Sequence, residues 1–213
     1  MIQPAGFEFG ELTHCQVHDV ILDFILSKST EENFVAIVNE QQSTRGAFEA
    51  RRLCLQFKTA NFVPDSMNLS QIRSFTTFGY LNYAPYLSWF ELLRVLDLHM
   101  DKYDGADCVD LSAICKLFQL RYFRTNSYQL KLPQKIGEMK HLETLDFRDT
   151  IVASIPTDII HLRSLRHLTV PVDTEFPKGI GKLVALHSLG YFNVAENSVD
   201  NVQGLGERLT LGS

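Results

Sequence analysis

Three dipeptides ending in proline set the frame of this chain: Leu132-Pro133, Ile155-Pro156 and Phe176-Pro177. Aligned on them, the residues that follow repeat in kind. Ile136, Met139, Leu142 and Leu145 come after the first, Ile159, Leu162, Leu165 and Leu168 after the second, and Ile180, Leu183, Leu186 and Leu189 after the third. All fifteen aligned positions are apolar, against a background of 45%, a coincidence expected in roughly one alignment in 10^5. Apolar residues three and four apart ordinarily mark an amphipathic helix. A proline every two dozen residues would break such a helix each time.

Extending the Leu-x-x-Leu-x-Leu phase both ways places anchors at Leu53, Phe75, Leu96, Phe123, Leu145, Leu168 and Leu189. Their separations are 22, 21, 27, 22, 23 and 21 residues, inside the range of leucine-rich repeats, and the 28 leucines supply the ridge. Each unit predicts a short strand followed by an irregular or short helical return. One unit cannot bury its apolar edge, whereas stacked units share a continuous core beneath a parallel sheet. The fold class expected is an α/β leucine-rich-repeat solenoid of about seven units over residues 53–203, after a connector at 41–52 and a small helical stub at 1–40. Residues 204–213 diverge, so the solenoid is expected to be truncated there.

In the stub, Val17, Val20, Ile21, Phe24 and Ile25 predict an amphipathic helix that ends at Ser27-Lys28-Ser29. Phe34–Val38 reads as a strand, or as chain packed onto the first repeat. The long unit carries Asp101, Asp104, Asp107 and Asp110 at every third position. Calcium loops place oxygens at alternate positions and close with a glutamate, so this segment reads as a solvated acidic loop.

The remaining composition bounds the function. With 213 residues and a net charge of −5, the chain has no basic footprint for nucleic acid or an anionic membrane. No apolar run is long enough to span a bilayer, and the amino terminus does not read as a secretory signal. Four scattered cysteines suit a reducing compartment. His14, Cys15 and His18 invite a zinc reading, but no further ligand follows at zinc spacing. His18 and Asp19 read better as a helix start, a place where an anion is also favoured. No phosphate-binding loop, dinucleotide fingerprint or nucleophile elbow occurs, and no enzyme is expected.

Alternation along each strand directs the residues flanking and between the two leucines to the concave face. That face is expected to carry Arg52, Cys54 and Gln56, then Ser74 and Thr76, then Val95, Asp97 and His99. Tyr122, Arg124 and Asn126 come next, then Thr144, Asp146 and Arg148, and last His167 and Thr169. Asp97, Arg124 and Asp146 share one strand position and should form a charge ladder, each pair contributing ~0.2–1 kcal/mol. The face is either a plain soluble surface or a ligand-binding one. Trp89 reads as a binding residue or as core.

Some stretches also carry a resemblance. Met1-Ile2-Gln3-Pro4, Cys15-Gln16-Val17-His18-Asp19 and Ser27-Lys28-Ser29-Thr30-Glu31-Glu32-Asn33-Phe34-Val35, followed by Leu93-Arg94-Val95-Leu96-Asp97-Leu98 and Ile114-Cys115-Lys116-Leu117-Phe118-Gln119-Leu120-Arg121-Tyr122, are similar to plant nucleotide-binding leucine-rich-repeat disease resistance proteins of the coiled-coil class. The resemblance implies that residues 1–40 are the tail of a winged-helix domain. It also implies that His18 and Asp19 stand in a Met-His-Asp-like motif with Val17 in place of Met. There His18 would contact a phosphate of ADP, and Asp19 would help hold the resting state, in a full-length parent that binds ADP or ATP; this chain alone is expected to need no cofactor. The implied partners are the parent's nucleotide-binding domain and a pathogen effector or host protein, in the cytoplasm. The alternative is a leucine-rich-repeat adaptor with no immune role.

Overall fold

The computed structural model describes residues 2–8, 11–39, 50–57, 68–79, 87–100, 109–126, 129–152 and 155–206. Most of the connector, Asp101, Asp104, Asp107 and the last seven residues lie outside them. The main sheet has eight parallel strands: β3 (Ala36–Asn39), β4 (Arg52–Phe57), β5 (Ser74–Gly79), β6 (Val95–Met100), β8 (Tyr122–Thr125), β10 (Thr144–Asp146), β12 (His167–Thr169) and β13 (Ser188–Gly190). They stand side by side in sequence order.

The register follows the anchors. Leu53 pairs with Phe75, Phe75 with Leu96, Leu96 with Phe123, Phe123 with Leu145, Leu145 with Leu168, and Leu168 with Leu189. The first six are buried, and Leu189 packs against the same cluster half-buried. Phe75 stacks on Phe90 and Phe123 meets Phe147 edge-on, with centroids 5.1 and 5.3 Å apart. Ile136, Ile159 and Ile180 close the core from the opposite side, on short 3-10 turns. The prolines stand outside the strands: Pro133 and Pro156 give their carbonyls to the amides of Ile136 and Ile159, opening those turns.

Neighbouring units are stitched by polar contacts as well. Gly137 N donates to Asp158 Oδ2 at 2.8 Å, and Ser164 Oγ to the Lys140 carbonyl at 2.7 Å. A Cβ on Gly137 would lie 2.5 Å from the Asp158 carbonyl oxygen, so only glycine permits this approach. At the far end, helix α2 (Val199–Gly206) lies over the turn of the last proline unit. Its buried Asn201 accepts from Gly179 N at 3.0 Å and donates to the Pro177 carbonyl at 3.2 Å.

Four expectations are revised. The strand at 36–39 belongs to the sheet, with Ala36 opposite Leu53 and both Ala36 and Val38 buried, so the array begins inside the stretch assigned to the stub. A second parallel sheet of β7 (Val109–Asp110), β9 (Gln129–Lys131) and β11 (Ile151–Val152) flanks three units. It takes Asp110 out of the supposed acidic loop and sets it opposite Lys131. The stub opens with an antiparallel hairpin, β1 (Ile2–Glu8) and β2 (Glu11–Val17), before helix α1 (Asp19–Glu31). His14 and Cys15 therefore lie on a strand, and the helix face needed for zinc does not exist. Finally, α1 runs past Ser27-Lys28-Ser29 and stops where Asn33 turns left-handed at φ 49°, with Phe34 N bonded to the Ser29 carbonyl at 2.8 Å.

The burial contrast gives a direct test. Leu145→Ala should lower stability by ~2–5 kcal/mol. Phe24→Ser, on the exposed face of α1, should change it by no more than ~0.5 kcal/mol. Urea unfolding followed by circular dichroism reads both.

Candidate recognition surface

The strand register turns the solvent face into lanes. One lane runs Arg52, Ser74, Val95, Tyr122, Thr144, His167, Ser188, and the next runs Cys54, Thr76, Asp97, Arg124, Asp146, Thr169, Gly190. Beyond them Gln56 stands beside Phe78 and Phe78 beside His99. Thus Asp97, Arg124 and Asp146 do occupy one position on three adjacent strands.

Their environments differ. Asp146 is buried, with its side chain 8% exposed. Arg148 wraps it: Nε lies 3.1 and 3.2 Å from the two carboxylate oxygens, Nη2 lies 2.9 Å from Oδ2, and the Arg148 amide donates at 3.3 Å. Those bonds raise the Arg148 pKa. Arg124 Nε stands 4.0 Å from the same carboxylate. Tyr122, beside them, is pushed to a higher pKa by burial first and then by the charge of Asp97, so it presents a neutral hydroxyl.

Asp97 is served differently. His99 Nε2 stands 3.1 Å from its Oδ1, but this approach lacks hydrogen-bond alignment. That oxygen is out of solvent and accepts no hydrogen bond among the described residues. The His99 ring instead stacks on Phe78, at 4.8 Å between centroids and 13° between planes. Elsewhere on the face, the Arg52 guanidinium sits 4.2 Å over the Phe34 ring, beside the stub. Exposed Gln56 reaches Cys54 Sγ at 3.9 Å, Asn126 N donates to the Leu98 carbonyl at 3.2 Å, and His167 Nδ1 meets Ser188 Oγ at 2.8 Å. Trp89 is 52% exposed, on the turn side.

A further row escaped the sequence reading. Two residues before each anchor stand Arg51, Arg73, Arg94, Arg121, Glu143, Arg166 and His187. The backbone fixes this row, because each carbonyl from Arg51 to Arg166 accepts the two successive amides that lead into the next strand, at 2.7–3.2 Å. Parallel strands lie ~4.8 Å apart, so four arginines follow one another along the leading edge before Glu143, which pairs with Arg121 at 2.8 Å. The signal was in the sequence as an arginine at anchor minus two.

A match to the family of leucine-rich repeat regions covers residues 71–211. The chain belongs to the leucine-rich repeat family. Among its relatives is the rice (Oryza sativa subsp. japonica) disease resistance protein RGA5, 37% identical over 95% of this chain and 18% of its own length. Rice disease resistance protein Pik-2 is 36% identical over 73% of the chain and 16% of its own length. The probable disease resistance protein RDL5 of Arabidopsis thaliana is 30% identical over 99% and 22%. This leucine-rich repeat chain thus spans about a fifth of the length of such relatives.

His18 and Asp19 do not belong to the repeat surface. His18 precedes α1, where its carbonyl accepts from Ile21 N and Leu22 N at 2.8 and 2.9 Å and its Nδ1 accepts from Val20 N at 3.3 Å. With Gln3, Gln16, Val17 and Asp19 it lines a recess of about 200 Å³, smaller than the ~300–1,000 Å³ of a typical small-molecule site. Among the described residues no three His, Cys, Asp or Glu side chains gather as a metal site, and no helix is long and apolar enough to cross a membrane.

Arg148→Ala should strip Asp146 of most of its donors and cost ~1–3 kcal/mol. His99→Ala, which removes no hydrogen bond from Asp97, should cost less than half as much in the same urea titration.

Proposed function

We propose that this chain is the recognition and restraining segment of a plant immune receptor, binding protein partners across its strand lanes. The observation that supports the reading most is the 37% identity to RGA5 over 95% of the chain, a span that takes in the hairpin–helix stub as well as the repeats. An adaptor with no immune role would share repeats of this kind without the stub, and the relatives do not favour it.

The leading-edge row supplies the partner chemistry. Like charges on adjacent strands repel, so Arg51, Arg73 and Arg94, ahead of the Arg121–Glu143 pair, cost stability and are best answered by an acidic segment of a partner. Tyr122 and Arg148 on the sheet face are residue types that dominate binding hot spots. The candidate partners are the parent's own nucleotide-binding domain, at rest, and a pathogen effector or host protein, in the cytoplasm. In a full-length parent His18 and Asp19 would close the phosphate side of an ADP or ATP site, and restraint would be a population shift between resting and signalling states. The role is binding, not catalysis.

Full-length receptor expressed in leaf tissue tests this. Asp19→Val should raise resting cell death, and Arg73→Glu with Arg94→Glu should abolish the pathogen-triggered response. Unchanged signalling in both would overturn the reading.

A further inference from the structure

The repeat surface holds two carboxylates at one position, and among the described residues only one of them has both oxygens hydrogen-bonded, His99 Nε2 standing 3.1 Å from the other without the alignment of a hydrogen bond. Asp146 has Arg148 wrapped around it. Asp97 has an oxygen that is out of solvent and without a hydrogen bond among the described residues, although the side chain as a whole keeps 20% of its surface open. Arg124, its register neighbour, stands 4.0 Å from Asp146 instead. A buried carboxylate oxygen without a donor costs free energy, and such a residue calls for an explanation outside the free chain.

The surroundings identify what would satisfy it. Phe78 and His99 stack face to face beside the carboxylate, their ring planes 13° apart, and Phe78 keeps 44% of its surface open to solvent. A guanidinium is the group that uses both features at once. It is planar, it stacks on aromatic faces, and it forks onto a carboxylate with two parallel bonds. The terminal torsion of Asp97 is soft, so a small rotation presents its oxygens to the solvent side.

The geometry points to an arginine receptor: Asp97, Phe78 and His99 take up one arginine side chain of a protein partner, the carboxylate binding the guanidinium and the open side of the stacked aromatic pair packing against it. This rests on the reading of the face as a recognition surface, and gives its centre a preference opposite in sign to that of the arginine edge.

Titration of the ¹⁵N-labelled chain with the capped tripeptide Gly-Arg-Gly, followed by NMR, tests it. Saturable shifts are expected at Phe78, Asp97 and His99, at least tenfold weaker with the isosteric, uncharged citrulline peptide. Asp97→Asn should abolish them while leaving Tm unchanged or raising it by ~2 °C. Phe78→Leu, which keeps an apolar cover without the aromatic ring, should weaken binding at least threefold. Absence of saturable shifts, equal response to both peptides, or a Tm lowered by Asp97→Asn would overturn the proposal, the last by making Asp97 structural. The receptor reading fails separately. Arg73→Glu with Arg94→Glu leaves the arginine receptor untouched, so peptide binding alongside an intact pathogen response and an unchanged resting state in Asp19→Val would sink the immune-receptor reading alone. Lost response without peptide binding would sink only this proposal.

Discussion

Every unit of this chain depends on burying its anchor against the anchor on either side. Leu53, Phe75, Leu96, Phe123, Leu145 and Leu168 form one buried row. Stability in such an array is the sum of weak units and the contacts between neighbours. That explains why the ends look unlike the middle. At one end β3 continues the row with Ala36, which stands opposite Leu53. At the other, α2 covers the last proline unit, and Asn201 satisfies the Gly179 amide and the Pro177 carbonyl. Gly181 lets the covering helix approach: a Cβ there would meet Gly204 backbone at 2.8 Å.

The same stacking sets the surface. The forked acceptance of two amides by each leading carbonyl recurs at six junctions. It aligns residues that lie 21 to 27 positions apart in sequence, so that a substitution in one unit acquires fixed neighbours in two others. The arginine row and the Asp97–Arg124–Asp146 lane follow from this. The units specify relative placement through backbone bonds and leave the side chains on the solvent face free to differ, which separates the determinants of fold from those of binding.

What was legible in the sequence follows from the same physics. The anchors could be read because a ridge that must be buried in every unit leaves a periodic trace. β3 was less legible: Ala36 precedes Leu53 by 17 residues, out of phase with the rest, and Phe34–Val38 is uniformly apolar. The second sheet could not be read, since strands of two or three residues show no alternation. Ser27-Lys28-Ser29 resembles a helix stop, yet the geometry that ends α1 is the left-handed Asn33. The arginine row is present in the letters, but it stands just before each strand, outside the alternation that marks the strand's solvent face.

The two aspartates show where sequence reading stops. Leu96-Asp97-Leu98-His99 and Leu145-Asp146-Phe147-Arg148 follow one pattern, and the register gives both carboxylates the same lane and the same Arg124 between them. The difference arises two residues later. Arg148 is long enough to fold back and fork onto its own strand's carboxylate, and it does so within one unit. His99 is shorter and lies opposite Phe78, so its ring gains more from stacking on the neighbouring strand than from aligning with Asp97. A cross-strand aromatic contact therefore decides whether an acid one lane away is satisfied. Pattern matching treats the two sites as copies; the packing of one ring makes one of them a closed ion pair and the other an open acceptor.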